Sequence, residues 1–145
     1  MSTIEFTKAY ISRLCKSIGT TAEAVYSKKT GAWYFQSNSA TIEVFLTTIE
    51  TDQKTERTFI RCVAPVFETP MDAKKKLHFY ETALEINTAR MGIKLGSLTD
   101  KGILCVITER DIEGMDYNEF IDLISDIGFW ADTLNDYFKK HFTNS

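Results

Sequence analysis

The stretch LEINTARMGIKLGSLTDKGILCVI, residues 84–107, decides the fold. Apolar residues at helical spacing run up to Met91, and Gly92 is a common residue just past a helix end. Strand-like runs then lie on both sides of the polar turn TDKG, residues 99–102. The stretch therefore predicts a helix followed by a hairpin with strands at 93–98 and 103–109.

Asn87 lies in the last turns of this helix, near the flank of its apolar stripe. An amide at that position can bond backbone groups where the helix turns into the hairpin. We interpret Asn87 as a structural joint between the two elements, and a ligand-binding role is the alternative.

The residues before this helix predict one more helix and three strands. Ser2 and Glu5 form a capping box ahead of a helical apolar pattern that Gly19 stops. Strands are expected at 32–37, 40–49 and 57–64, with short polar turns typical of an antiparallel meander. Pro65 cannot donate to a β-ladder, so the third strand is expected to end near it or to lie at a sheet edge.

The middle helix is predicted from Thr69 and Pro70 to about Met91. Asp116, with Glu119 three residues later, caps a last helix. Its apolar stripe contains Phe120, Leu123, Ile124, Ile127, Ala131, Leu134 and Phe138. The order α-β-β-β-α-β-β-α predicts one α+β domain over residues 1–145, with a largely antiparallel five-stranded sheet and flanking helices.

Composition narrows the class of protein. The formal charge of -3 comes from interspersed acids and bases, so we expect no nucleic-acid partner. No apolar run is long enough for a membrane span and the start lacks a signal-peptide pattern, so we expect no membrane partner. Cys15, Cys62 and Cys105 are an odd number of separated cysteines in apolar surroundings, which favours free thiols in a reducing cytoplasm.

The sequence contains no recognisable catalytic or metal-binding motif. His78 and His141 are the only histidines, and each is interpreted as a packing or surface residue. The sequence has no C-x-x-C, no calcium loop and no glycine-rich phosphate loop. We therefore expect no catalytic, cofactor-binding or metal-binding residues and no cofactor, although an enzyme site assembled from scattered acids leaves no linear trace.

A resemblance adds to this interpretation. The stretch 84–107, the preceding TFIRCVAPVFETP at 58–70, and the last helix with Phe129-Trp130-Ala131-Asp132 and Leu134 resemble the YbjN-like family of small bacterial proteins. They also resemble the type III secretion chaperone-like fold, over most of residues 40–142. The resemblance implies a helix-flanked sheet, often dimeric, that acts by binding proteins as a chaperone or regulator and without enzyme activity.

The middle helix has apolar residues on two sides. Leu77, Tyr80, Leu84 and Met91 are predicted to face the core, which leaves the row Phe79, Ala83 and Ile86 on the opposite side. This row is a candidate partner or homodimer surface, with cover by the chain's own elements as the alternative. Phe129 is a further candidate, because it points away from the stripe of the last helix.

Two function classes follow. The first is a non-enzymatic protein-binding module, chaperone-like or regulatory, that acts through an apolar surface as a homodimer with a protein partner. The second is a small-ligand-binding or enzymatic α+β domain with a pocket between sheet and helices.

Overall fold

The computed structural model describes residues 2–143. Within that range, helices and strands occur in the order α-α-β-β-β-β-α-β-β-α. The elements are α1 (Thr3–Ser17), α2 (Ala22–Val25), β1 (Tyr26–Ser27), β2 (Ala32–Ser37), β3 (Ala40–Glu50), β4 (Glu56–Glu68), α3 (Ala73–Ala89), β5 (Lys94–Leu98), β6 (Ile103–Asp111) and α4 (Tyr117–Phe142).

The strands form one sheet in the order β1-β2-β3-β4-β6-β5, with every neighbouring pair antiparallel. This architecture confirms the predicted α+β class and the antiparallel sheet. The sheet has six strands rather than five, because Tyr26 and Ser27 pair with Trp33 and Ala32 to form a short edge strand. A two-residue strand is too short to show the alternation on which sequence prediction depends.

The prediction for Pro65 is wrong in both of its forms. β4 continues through Pro65 to Glu68, and it lies between β3 and β6 rather than at an edge. The register places Pro65 opposite Cys105 and Phe67 opposite Leu104, so Val66 is one extra residue in β4. A bulge of this kind leaves one residue out of the ladder, and it is a position at which a sheet tolerates proline.

Helix caps agree with the sequence at two helices and differ at the third. Ser2 with Glu5 and Asp116 with Glu119 form the capping boxes predicted for α1 and α4. The N-cap of α3 is Asp72, not Thr69. The Thr69 amide donates instead to the Gly102 carbonyl at 2.8 Å, which keeps that residue with the sheet. α3 also ends at Ala89, slightly before the predicted Met91.

The core lies between one face of the sheet and the helices. α4 presents the predicted stripe, and Phe120, Ile127, Ala131, Leu134 and Phe138 are all buried. They form one cluster with Ile11 and Cys15 of α1, Phe79 and Ala83 of α3, and alternate residues of the central strands. The strand residues of this cluster include Ile42, Val44, Ile60, Cys62, Ala64 and Val106.

Candidate functional site

The two sides of α3 are reversed relative to the sequence interpretation, except that Tyr80 of the predicted core side is partly buried against the core. Phe79 is 0% exposed and Ala83 6% exposed, whereas Leu77 is 61% exposed and Leu84 66% exposed. Ile86, the third member of the candidate surface row, is partly buried against the core. Phe79 and Ala83 therefore belong to the chain's own core and cannot form a partner or dimer surface.

The physical reason for the reversal is an aromatic cluster at the end of α4. The Phe79 ring lies 5.0 Å from Phe138 and 5.2 Å from Phe142, measured between ring centroids. Phe67 at the end of β4 lies 6.1 Å from Phe79 and 6.2 Å from Phe138. Such aromatic contacts add to the free energy of area burial, so this side of α3 packs inward.

The opposite side of α3 presents an exposed apolar row. Leu77 and Leu84 are seven residues apart, which places them two turns apart on one line along the helix, about 10.5 Å from each other. Met91, just beyond the helix end, is 93% exposed. We call Leu77, Leu84 and Met91 the α3 row, and it is the structure's candidate for an interaction surface.

Phe129 is exposed, as its position on the last helix suggested. Its side chain is 59% exposed, and its ring makes an edge contact with Trp130 at 5.2 Å. The Arg90 guanidinium lies 5.1 Å from the centre of the Trp130 ring. This contact connects the loop after α3 with the middle of α4, beside a groove of about 260 Å³ between the two helices.

Asn87 connects α3 to β5 with both ends of its amide. The Leu95 amide donates to Asn87 Oδ1 at 2.6 Å, and Asn87 Nδ2 donates to the Leu95 carbonyl at 3.2 Å. Leu95 is only 8% exposed, so these backbone groups have little access to water. Asn87 therefore satisfies two polar groups at the place where the helix turns into the hairpin.

The space between sheet and helices is filled by side chains. Phe79, Phe120 and Phe138 are each 0% exposed and occupy the middle of that space. The clefts of the described residues include one of about 410 Å³ beside the β4 bulge and one of about 390 Å³ between α1 and β1. These clefts lie at the surface, outside the packed layer where the alternative function requires a pocket.

The three cysteines are buried, and the two histidines are exposed beside aromatic rings. Burial raises the pKa of the Cys62 thiol to about 12, and it also raises the pKa of Cys15 and Cys105. His78 and His141 lie against aromatic rings, 5.3 Å from Phe142 and 4.3 Å from Tyr137 respectively. Within residues 2–143, no group of three histidine, cysteine or acidic side chains is placed to hold a metal ion. None of the helices in the same range has the length and apolar character to cross a membrane.

Comparison with known sequences finds no relative: no family model matches, and no curated protein matches. Solved structures do match. A chain of the HopA1–SchA chaperone–effector complex aligns with a TM-score of 0.61 and 10% identity, over 90% of this chain and 94% of that chain. A chain of the ExsC–ExsE complex aligns with a TM-score of 0.60 and 12% identity, over 92% of this chain and 97% of that one.

YbjN from E. coli aligns with a TM-score of 0.57 and 12% identity, over 95% of this chain and 92% of that chain. The similar structures thus include both of the groups that residues 84–107 and the last helix resembled. At these identities the similarity shows the fold. The chain has a YbjN-like, type III secretion chaperone-like fold.

Proposed function

We propose that this protein is a non-enzymatic protein-binding module, chaperone-like or regulatory, and that it acts as a homodimer assembled through the α3 row. The observation that carries the proposal is the exposure of Leu77 and Leu84 along one side of a helix whose other side is in the core. Exposed apolar residues that are grouped, here two leucines on one line of the helix and Met91 beyond its end, often mark an interaction surface.

Self-association is supported by the shape of the row. A two-fold interface pairs one patch with its own copy. If two α3 helices pack antiparallel, Leu77 of one copy lies against Leu84 of the other, and the reciprocal contact follows from the symmetry. Both leucines would then be buried by a single interface.

Charge supports the antiparallel orientation. Beside the leucine line, Lys74 is in the first half of α3, and Glu81 and Glu85 are in its second half. Antiparallel packing brings the basic half of one helix to the acidic half of the other, whereas parallel packing places like charges together. Complementary charge of this kind selects orientation and partner more than it adds affinity.

Binding of a further protein is supported by the similar structures. The HopA1–SchA structure is a chaperone–effector complex, and the ExoU–SpcU structure is a heterodimeric complex from the type III secretion system of Pseudomonas aeruginosa. The latter aligns with a TM-score of 0.57 and 14% identity, over 87% of this chain and 95% of that chain. The core adds to this support, because Phe79, Phe120 and Phe138 fill the middle of the space between sheet and helices in the described part of the chain.

The dimer is tested by replacing Leu77 and Leu84 with Asp and measuring sedimentation and circular dichroism beside the wild type. We expect a dimeric wild type and a folded, monomeric double variant, because an interface would bury like charges against each other. Phe6→Asp is the matched control, since it places the same charge at an apolar position of α1 that is 47% exposed. A monomeric wild type, or a double variant that stays dimeric, would overturn the dimer proposal.

A further inference from the structure

β5 is the last strand of the sheet on one side. The backbone N–H and C=O groups on the outer side of an edge strand can pair with a strand of another chain. Natural proteins often protect such edges with lysine, proline, a bulge or a covering element. How β5 is protected therefore bears on how the protein avoids unwanted assembly.

Asn87 is hydrogen-bonded to the backbone N–H and C=O of Leu95, the groups that an added strand would use. Its amide offers one acceptor and one donor, at 2.6 and 3.2 Å from the Leu95 amide nitrogen and carbonyl oxygen. These are the two bonds that a residue of a neighbouring antiparallel strand would make. The side chain thus takes the place of one residue of an added strand.

The strand geometry shows which other groups face outward. Leu95 lies opposite Val106 of β6, but its backbone N–H and C=O bond to Asn87 of α3. The backbone groups of Leu95 therefore point outward, away from β6. Backbone groups alternate in direction along a strand, so Ser97 also faces outward. Ser97 is exposed to solvent. The edge is therefore closed at Leu95 and open at Ser97.

The lysine of β5 does not protect this edge. Lys94 Nζ lies 2.6 Å from Glu109 of β6, so its charge is directed across the sheet and paired. The last turn of α3 covers the edge, but Thr88 and Ala89 in that turn are exposed and make little apolar contact. Ile86 and Arg90 hold this turn to the core and to α4, whereas the hydrogen bonds of Asn87 join it to the backbone of β5.

We propose that Asn87 is a latch that holds the last turn of α3 across the edge of β5, and that without it the β5 strands of two copies pair antiparallel. Pairing centred on Gly96 places Leu95 of each copy opposite Ser97 of the other, so all the outward groups of both residues are satisfied. The α3 row takes no part in this contact, so the inference does not depend on the proposed dimer.

Asn87→Ala tests the latch, with wild-type protein measured at the same concentrations. We expect the weight-average mass in sedimentation to rise to about twice the wild-type value if the wild type is a monomer. If the wild type is a dimer, the mass should at least double, because each dimer carries two β5 edges. At low concentration, the Leu95 amide should exchange its hydrogen faster in the variant, because it has lost its acceptor. A folded variant with wild-type mass at every concentration would overturn the proposal.

Ser97→Pro in the Asn87→Ala background is the matched control. Proline has no outward N–H, and edge strands tolerate it, so it blocks strand addition without restoring the latch. We expect the mass to return to the wild-type value. Association that persists in this double variant contradicts strand pairing at β5.

Asn87→Asp replaces Asn87→Ala as the test of the latch if the alanine variant does not fold. It keeps the acceptor for the Leu95 amide and loses the donor to the Leu95 carbonyl. We expect association at a higher concentration than complete loss of the latch requires, and again reversal by Ser97→Pro. An aspartate variant that never associates beyond the wild type would overturn the latch as well.

Discussion

Phe79 and Phe138 lie with their ring centroids 5.0 Å apart and their planes inclined at 56°, which joins α3 to α4 above the sheet. Both side chains are 0% exposed. The contact decides which side of α3 is internal, and it leaves the leucines of the α3 row in solvent.

Phe79→Ala should therefore lower the free energy of unfolding by about 3–5 kcal/mol, because it leaves a cavity within an aromatic cluster. Leu84→Ala should change it by less than about 0.5 kcal/mol in the monomer, because surface substitutions remove little packing. Urea denaturation of the two variants at one low protein concentration measures both values. The opposite ranking would return the Leu84 side of α3 to the core.

Leu134→Ala should cost about 2–5 kcal/mol, because the side chain is 4% exposed in the middle of the α4 stripe. The neighbouring exposed position Thr133 offers a control, since Thr133→Ala removes no buried apolar group. Thermal or urea unfolding gives the comparison. Equal stability of the two variants would contradict the register of α4.

Gly128→Ala should destabilise the protein although alanine favours helices. A Cβ at Gly128 would collide with Ser37 Oγ and lie 3.0 Å from Ser37 Cβ. The Ser37 hydroxyl would have to turn, and the β2–β3 hairpin would have to shift slightly away from α4. Overpacking of this kind costs roughly 1–3 kcal/mol, against a gain in helix propensity of up to about 1 kcal/mol.

Ser37→Gly removes both of the crowded atoms. We expect Gly128→Ala to be better tolerated in the Ser37→Gly background than in the wild type, as a double-mutant cycle in urea would measure. An additive cycle would show that the close approach of hairpin and helix has no energetic consequence.

The three thiols should react slowly with a thiol reagent in the native protein. Burial blocks access and raises each thiol pKa, for Cys62 to about 12, so little thiolate forms near neutral pH. Rapid labelling of all three is expected in denaturant. Fast labelling of any one of them under native conditions would identify an accessible, reactive cysteine that the structure does not show.

Local signals in the sequence located most elements. Capping residues are short-range chemistry, so Ser2 and Asp116 could be recognised without knowledge of the fold. The sides of α3 could not be assigned in this way, because Leu77 with Leu84 and Phe79 with Ala83 both form apolar rows at helical spacing. Only the position of Phe138 and Phe142, far along the chain, decides between them.

Pro65 shows the same limit in a strand. Its missing N–H is a local fact, but the extra residue at Val66 that accommodates it is visible only in the pairing with Cys105 and Leu104. The bonds between Asn87 and Leu95 could be predicted from the sequence only in part. A joint could be inferred from their closeness in sequence, whereas the edge position of β5 depends on the order of the whole sheet.

The strand order has a consequence for how fast the chain folds. β2, β3 and β4 are joined by turns of a few residues, but β4 meets β6 only after the intervening residues 69–102 have been brought back to the sheet. Closing the longer loop costs more chain entropy, and non-local pairing slows folding. The β2–β3–β4 meander should accordingly be formed in the folding transition state. Val44→Ala would then mainly slow refolding, whereas Val106→Ala would mainly speed unfolding.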